Sequence, residues 1–231
     1  SSLQALWRVV LQTNAAISDA VDNAFAVRNT QLSFYVNDSV TNGDVYTSAA
    51  GNPANSGLAA SVPKDSIMGI LNAYDTESRD IIYVDTGSYG VTSDVRVIWS
   101  RGGDDNYGNL LILGSTNAAG GGSLISRIVV PGEGDDGFDV PASHVTIRDF
   151  TVQNMYRGVY FESNQFSSAE RIFVRSNYFG VVNNATRSIT NRNIRLWHNT
   201  MGGMDILNAR TTVVENCDFV INSNYGFRAR A

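Results

Sequence analysis

The second half of the chain repeats a glycine at nearly equal intervals. The repeated residues are Gly137, Gly158, Gly180, Gly203 and Gly226, which are spaced by 21, 22, 23 and 23 positions. Each is followed by an apolar residue and then, in most repeats, by a polar one, as in GFDV, GMDI and GFRA. A period near 22 residues that contains an alternation of two indicates short strands stacked coil upon coil.

We therefore predict an all-β fold, a right-handed parallel β-helix whose coils have about 22 residues. A second track between the glycines supports this prediction, because residues 145–152, 172–179, 194–201 and 212–219 can be aligned with one another. The alignment predicts two inward columns and one further stack. They are Val145/Ile172/Ile194/Thr212, Ile147/Val174/Leu196/Val214 and Phe150/Asn177/Asn199/Cys217.

Asn177 and Asn199 are adjacent in the third of these stacks. Asparagines stacked at one bend can bond to each other along the axis and satisfy buried turn backbone. We interpret Asn177 and Asn199 as a structural ladder, with a role in ligand binding as the alternative.

A different pattern precedes the coils. Residues 33–38 are typical of a strand, residues 51–58 form a turn rich in Gly, Asn and Pro, and residues 80–90 are typical of a buried strand and a turn. Between them a helix is predicted, because its apolar residues follow the spacing of one helix face and Asp65 or Ser66 can act as N-cap. The apolar residues are Ile67, Ile70, Leu71 and Tyr74. We expect residues 32–92 to form a helical cap with the first strands, and residues 93–231 to form coils that are truncated at the C-terminus.

The sequences YVND, GNPANSGL, PKDSIMGILNAY and DIIYVDTGSY stand in this order before the coils. This run resembles the N-terminal segment of secreted right-handed β-helix proteins, the pectate-lyase-like repeat proteins. Ser66-Ile67, Ile70-Leu71 and Arg79-Asp80 depart from the usual Thr-Ile, Ala-Leu and Gly-Asp of that family. The resemblance implies the fold, but lyases, epimerases, tailspikes and non-enzymatic surface proteins share such segments.

Residues 1–31 do not follow this pattern. Residues 6–13 and 24–29 alternate like strands, and residues 17–23 are interpreted as a polar bend. The segment resembles the last strands of the immunoglobulin-like modules of large secreted bacterial proteins. We expect it to be the end of such a module or a linker hairpin, and the alternative is one amphipathic helix over residues 15–27. Asp22 and Asn23 disfavour that helix.

Composition narrows the classes of partner. The net charge is −5 and the isoelectric point is near 4.9, which disfavours nucleic acid and anionic membrane surfaces. No apolar run is long enough to predict a membrane span in this chain. The single cysteine, Cys217, excludes a disulfide within the chain.

The outward positions of the predicted coils are the candidates for binding. Aromatic rings stack on sugars, and guanidinium groups pair with carboxylates. We expect Arg148 and Arg175 to lie one coil apart, about 4.8 Å from each other. The carbohydrate-binding candidates are Tyr160, Phe173, Arg195, Trp197 and Asp205. Packing against a neighbouring coil or module is the alternative role of these side chains.

The chain offers few candidates for catalysis. Asp139 and Asp205 are three coils apart, about 14 Å, which is too far for two carboxylates that share one glycosidic bond. Arg148 and Arg175 are candidate arginine bases for a lyase, and His198 is a candidate general base or else a solvated side chain. Two acidic, glycine-rich loops are candidate Ca²⁺ sites through Asp104, Asp105, Asp135 and Asp136, or else ordinary turns.

Two functional hypotheses follow. The first is a non-catalytic structural or adhesive segment of a large extracellular or cell-surface protein, which binds a polysaccharide or neighbouring modules and needs no cofactor. The second is a polysaccharide lyase that uses an arginine base and Ca²⁺. The lack of a recognisable catalytic set favours the first.

Overall fold

The structure of the chain is a computed structural model that describes residues 31–117, 121–127 and 135–231, together with the backbone of four short strands before them. Residues 1–31 and 32–231 form two separate compact units. Strands are numbered in chain order. In the first unit, β1 (Leu3–Ala5) pairs antiparallel with β4 (Phe25–Val27), and β2 (Arg8–Leu11) pairs antiparallel with β3 (Asn14–Ala20).

In this first unit β2 and β4 lie within the segments predicted as strands, residues 6–13 and 24–29, but the residues between them differ from the expectation. Residues 17–20 belong to strand β3, so the predicted bend over 17–23 and the alternative helix over 15–27 are both wrong there. Pairing of Ser18 and Asp19 with β2 outweighs the turn preference of these two residues. Residues 21–24 lie outside the described part of the chain.

The second unit is built from three parallel sheets. The first sheet contains β5 (Ser33–Val36), β6 (Ile81–Val84), β9 (Leu110–Gly114), β12 (Val145–Arg148), β15 (Ser168–Glu170), β18 (Thr190–Arg192) and β21 (Val213–Glu215). The second contains β7 (Gly87–Val91), β10 (Ser123–Arg127), β13 (Phe150–Gln153), β16 (Phe173–Arg175), β19 (Arg195–Trp197) and β22 (Asp218–Val220). The third contains β8 (Val95–Arg96), β11 (Asp136–Val140), β14 (Arg157–Glu162), β17 (Phe179–Asn184), β20 (Gly202–Leu207) and β23 (Tyr225–Arg230).

Each coil from β6 onward contributes one strand to each sheet, and the interior between the sheets is mainly apolar. The inward side chains form a continuous core, in which Phe138, Ile147, Val152, Phe161 and Val181 are fully buried. The predicted column Phe138/Val159/Val181/Met204/Phe227 is observed in register. Among the described residues, no helix is long and apolar enough to span a membrane.

The repeated glycines lie inside the strands of the third sheet, not at turns. A Cβ atom at Gly180 would lie 2.2 Å from the carbonyl oxygen of Gly203, and one at Gly203 would lie 2.4 Å from that of Gly226. Gly137 and Gly158 face the next glycine carbonyl in the same way, at 2.5 and 2.8 Å. The period therefore records where successive coils approach too closely for any side chain.

The asparagine ladder stands beside this glycine column. Asn177 Nδ2 donates to Asn199 Oδ1 (3.2 Å), and Asn199 Nδ2 donates to Asn222 Oδ1 (2.9 Å). The Oδ1 atoms of Asn177, Asn199 and Asn222 each also accept a backbone N–H group of the preceding coil. The N–H of Met155, for example, donates to Asn177 Oδ1 (3.0 Å). Asn222 extends the ladder by one coil, whereas Phe150 and Cys217 lie outside it.

The predicted second track is wrong in its register. Val145 and Ile147 belong to the first sheet, where Ile147 pairs with Ala169, and Val174 and Leu196 belong to the second. In the second sheet the column reads Val152/Val174/Leu196/Phe219. The alignment failed because segments of two sheets share the same alternation, and only strand pairing decides to which sheet each belongs.

A helix, α1 (Ile67–Ala73), covers part of the N-terminal end. Ser66 is its N-cap and accepts a hydrogen bond from the Gly69 N–H (3.2 Å). Ile67, Ile70 and Leu71 are buried, and α1 packs mainly on β5, β6 and β8. A short 3₁₀ helix (Trp99–Arg101) is the other helical element of the described residues.

We predict that Gly180→Ala lowers the free energy of unfolding by about 2–3 kcal/mol, because the added methyl group must displace a backbone carbonyl. Urea unfolding measures the effect. Thr200→Ala, at an exposed site close in sequence, is the matched control and should change the free energy little. Equal effects of the two substitutions would contradict the role given to the glycine column.

Candidate functional site

Four side chains on the outer face of the second sheet form what we call the aromatic–arginine surface: Phe173, Arg175, Arg195 and Trp197. Strands β16 and β19 pair in register, so that Phe173 lies opposite Arg195 and Arg175 lies opposite Trp197. The alternation of these strands turns Val174 and Leu196 into the core and leaves the four side chains outside. Arg195 is exposed, and the other three are half-buried.

The two rings and two guanidinium groups are within contact distance of one another. The centroids of Phe173 and Trp197 are 6.2 Å apart, with an angle of 33° between the planes. The guanidinium carbons of Arg175 and Arg195 lie 5.3 and 5.5 Å from the Phe173 ring centroid. Gln153 accepts a hydrogen bond from Arg175 Nε (2.9 Å), which orients that guanidinium group. The surface thus combines aromatic area with two positive charges.

Neither of these two charges forms an ion pair in the described part of the chain, although Asp218 stands opposite Arg195 in the next strand. Among the described residues, neither Arg175 nor Arg195 has a carboxylate within 4.0 Å. Arg192 pairs with Glu215 (2.9 Å) and Arg171 pairs with Asp149 (2.7 Å). A guanidinium group without an anionic partner can accept an anionic ligand without first breaking an ion pair.

Tyr160 and Asp205 do not belong to the aromatic–arginine surface. Both lie in the third sheet, in the predicted outward column Asp139/Tyr160/Val182/Asp205/Arg228, which is observed in register. Tyr160 is 6% exposed and Asp205 is 3% exposed, so neither offers an open side chain to a sugar. The sequence correctly predicts that Tyr160 and Asp205 point outward, but it does not predict that neighbouring side chains cover them.

Tyr160 is covered by a cluster of charged side chains. The Arg157 guanidinium carbon lies 3.4 Å from the Tyr160 ring centroid, and Arg157 makes a two-bond ion pair with Asp136 (2.7 Å each). The Tyr160 hydroxyl donates to Glu162 Oε1 (3.0 Å) and accepts from Asn184 Nδ2 (3.2 Å). These bonds occupy the polar atoms of the cluster and favour a structural role.

Burial raises the pKa of Asp136 to about 7, although the hydrogen bonds and charge of Arg157 act to lower it. Burial also acts to lower the pKa of Arg157, but the bonds and charge of Asp136 outweigh it and raise that pKa. The Asp136 side chain is 1% exposed and that of Arg157 is 22% exposed. The net effect of burial is therefore a raised pKa of the Asp136 carboxyl group, whereas the Arg157 guanidinium group stays charged.

Asp205 belongs to a second cluster, in which the pKa of the carboxyl group is lowered and not raised. It accepts hydrogen bonds from Arg228 Nε (3.0 Å), the Tyr225 hydroxyl (3.1 Å) and Arg230 (3.1 Å). Burial acts to raise the pKa of Asp205, but the bonds and charges of the two arginines outweigh it and lower that pKa. Asp205 is thus an ionised anchor between the last two strands of the third sheet.

The candidate catalytic residues are dispersed. Arg148 lies in the first sheet opposite Glu170, not one coil from Arg175, and its Nε is 3.4 Å from Asp149. The expected Arg148–Arg175 pair is therefore wrong, for the same reason as the register of the second track. His198 is exposed, and its ring lies edge-on to Trp197 at 4.6 Å between centroids.

The acidic loop residues already have partners. Asp104 accepts hydrogen bonds from the Ser78 hydroxyl and two backbone N–H groups, and Asp105 lies 3.1 Å from His144 Nε2. Asp135 pairs with Arg127, and Asp136 pairs with Arg157. Among the described residues no group of three or more acidic, His or Cys side chains has the geometry of a metal site. The four carboxylates are thus dispersed over two regions.

Comparison with known proteins gives a likeness of fold. A rhamnogalacturonan lyase superposes with a TM-score of 0.54 and 11% identity, over 86% of this chain and 62% of the lyase. A pectate lyase superposes with a TM-score of 0.48 and 16% identity, over 81% of this chain and 54% of the lyase. No family model and no curated protein matches the sequence. The chain spans less than two thirds of the length of either lyase, and it is a right-handed parallel β-helix protein.

The two buried aspartates predict opposite effects of pH on stability. The raised pKa of Asp136 means that its contribution is present below about pH 4 and is lost as the pH rises towards about 7. The lowered pKa of Asp205 means that its contribution is present above about pH 4 and is lost as the pH falls below that value.

Urea unfolding of the wild type, Asp136→Asn and Asp205→Asn across this range tests both predictions. The wild type should lose stability as the pH rises above about 4 because of Asp136, and Asp136→Asn should not show this loss. The wild type should also lose stability as the pH falls below about 4 because of Asp205, and Asp205→Asn should not show that loss. The same pH profile for both variants would contradict the opposite shifts.

Proposed function

We propose that this β-helix is a non-catalytic, adhesive segment that binds an acidic polysaccharide on the aromatic–arginine surface. The observation that carries the proposal is the pairing of two rings with two arginines that have no carboxylate partner within 4.0 Å among the described residues. The proposal includes an extracellular or cell-surface location, where such polysaccharides occur. No metal or cofactor takes part in this binding.

The chemistry of the surface supports an acidic sugar chain as the ligand. The ring faces of Phe173 and Trp197 offer apolar area to the C–H face of a sugar, and each guanidinium group can bond a uronate carboxylate through two N–H donors. Arg175 and Arg195 belong to adjacent coils and are offset by two residues along the strands, so their Cβ atoms are about 7–8 Å apart. Two anionic groups of one extended sugar chain can each contact one of them.

A polysaccharide lyase is the second candidate, and one observation favours it. Arg175 lies beside Arg195 and has no carboxylate partner within 4.0 Å among the described residues, so it can approach the C–H bond of a bound uronate. Rhamnogalacturonan lyase, a protein with a similar fold, is by name an enzyme of this class. In that case the same arginine would act as base in a β-elimination.

We predict that Trp197→Ala and Arg195→Ala each weaken binding of polygalacturonate by about tenfold, because each removes an interaction of about 1.4 kcal/mol. Titration calorimetry measures the affinity, and its decrease at higher salt reports the charged contacts. Arg192→Ala is the matched control, since Arg192 is an exposed arginine of the first sheet that pairs with Glu215. A loss of binding in this control as large as in Arg195→Ala would contradict the proposed site.

The same protein samples distinguish the two candidates. Incubation with polygalacturonate, with and without Ca²⁺, is followed by the ultraviolet absorbance of unsaturated products. Binding without product supports the adhesive function. Product that disappears in Arg175→Ala while binding persists would replace the adhesive function by the lyase.

A further inference from the structure

The N-terminal end of the β-helix contains a strand position that no strand of the described residues fills. The first sheet begins with β5, whereas the second and third sheets begin with β7 and β8, which belong to the next coil. The chain leaves the coil after Val36, and its next regular element is α1, which packs on β5, β6 and β8. Within the described ranges, the layer of β5 therefore has a strand in the first sheet and a helix over the third, but no strand beside β7.

A cleft of 520 Å³ lies at this position. Its lining comes from β7 and the residues after it, from Asp38 and Ser39 after β5, and from Asp65 to Met68 at the start of α1. In the described residues β7 pairs on one side only, with β10. The N–H and C=O groups on the other edge of β7 are therefore available to a further strand.

Part of this edge is already bonded by a side chain. Asp38 Oδ2 accepts a hydrogen bond from the Ser88 N–H (3.0 Å), and Asp38 Oδ1 accepts one from the Val40 N–H (2.8 Å). The approach depends on Gly87, where a Cβ atom would lie 2.4 Å from Asp38 Oδ2. The edge beside β7 is thus shaped to receive a hydrogen-bonding group, and Asp38 occupies only its first position.

The cleft has negative charge and a partly apolar wall. Asp38 and Asp65 contribute two carboxylates, and the lining contains no lysine or arginine. Met68 and Val91 are half-buried and offer apolar contacts, and Ser39 and Ser88 are exposed hydroxyl residues. This combination fits a polypeptide strand with one basic side chain and alternate apolar ones better than it fits an acidic ligand.

We propose that the cleft binds an extended peptide of another polypeptide, which adds as a strand along β7 and places a basic side chain at Asp65. Backbone hydrogen bonds to the edge of β7 hold the peptide, and Met68 and Val91 contact its apolar side chains. The site is separate from the aromatic–arginine surface, so it does not depend on the polysaccharide proposal.

Fluorescence anisotropy of the full chain with three labelled five-residue peptides tests the proposal. The first peptide alternates Val and Thr around a central Arg, the second has Glu in place of Arg, and the third is the first with alternate backbone amides N-methylated. We expect the Arg peptide to bind about tenfold more tightly than the Glu peptide, about 1.4 kcal/mol, and the methylated peptide not to bind.

Variants locate the site. Asp65→Asn should weaken binding of the Arg peptide about threefold to tenfold and should not weaken binding of the Glu peptide. Met68→Arg should abolish binding by filling the cleft and repelling the basic side chain. Asp105→Asn is the matched control, because Asp105 is an exposed aspartate outside the cleft.

Four results would overturn the proposal. They are equal binding of the methylated and unmethylated peptides, unchanged binding by Met68→Arg, displacement of the peptide by a neutral oligosaccharide such as maltohexaose, and no saturable binding at millimolar peptide. The unfolding midpoints of the variants in urea show whether any loss reflects unfolding. If Met68→Arg unfolds, Asp65→Asn against Asp105→Asn gives the deciding comparison.

Discussion

The close approach of successive coils at the glycine column is the constraint on which the rest of the β-helix depends. A Cβ atom at Gly180 would meet the next glycine carbonyl at 2.2 Å, so strand pairing in the third sheet is possible only without a side chain there. The amide ladder of Asn177, Asn199 and Asn222 lies against the same column and satisfies backbone N–H groups that the bend would bury. The close stacking of the coils and the hydrogen bonding of buried backbone N–H groups thus occur at one bend. Together they hold the interior columns in register.

Stacked coils give each outer face its own chemistry. The second sheet presents two rings and two arginines without carboxylate partners, whereas the third sheet presents aspartates that are buried against arginine and tyrosine. The difference arises from residues one coil apart. Asp136 pairs with Arg157 and Asp205 with Arg228, whereas Arg195 lies between Phe173 and Asp218 in register and has no carboxylate within 4.0 Å among the described residues. Arg175 and Arg195 are thus charges of the second sheet that form no ion pair in the described part of the chain.

At the N-terminal end of the β-helix, the described residues cover the edge of the sheets only in part. Helix α1 packs on β5, β6 and β8, and Asp38 bonds the first free N–H of β7. The remainder of β7 borders an acidic cleft, which is the basis of the proposed strand addition. The two proposed binding surfaces therefore differ in chemistry: one carries aromatic rings and arginines, and the other carries carboxylates.

The sequence by itself determined the class of fold, the inward column of the third sheet and the cap helix, because these depend on local alternation, glycine spacing and N-cap chemistry. It also predicted that the side chains of Phe173, Arg195 and Trp197 point outward. Only the tertiary structure decided which sheet each remaining segment joins: Arg148 lies in the first sheet and Arg175 in the second. It also decided that Tyr160 and Asp205 are covered by arginines. The reason is physical: alternation sets whether a side chain points inward or outward, whereas its neighbours are set by pairing between coils about 22 residues apart in sequence.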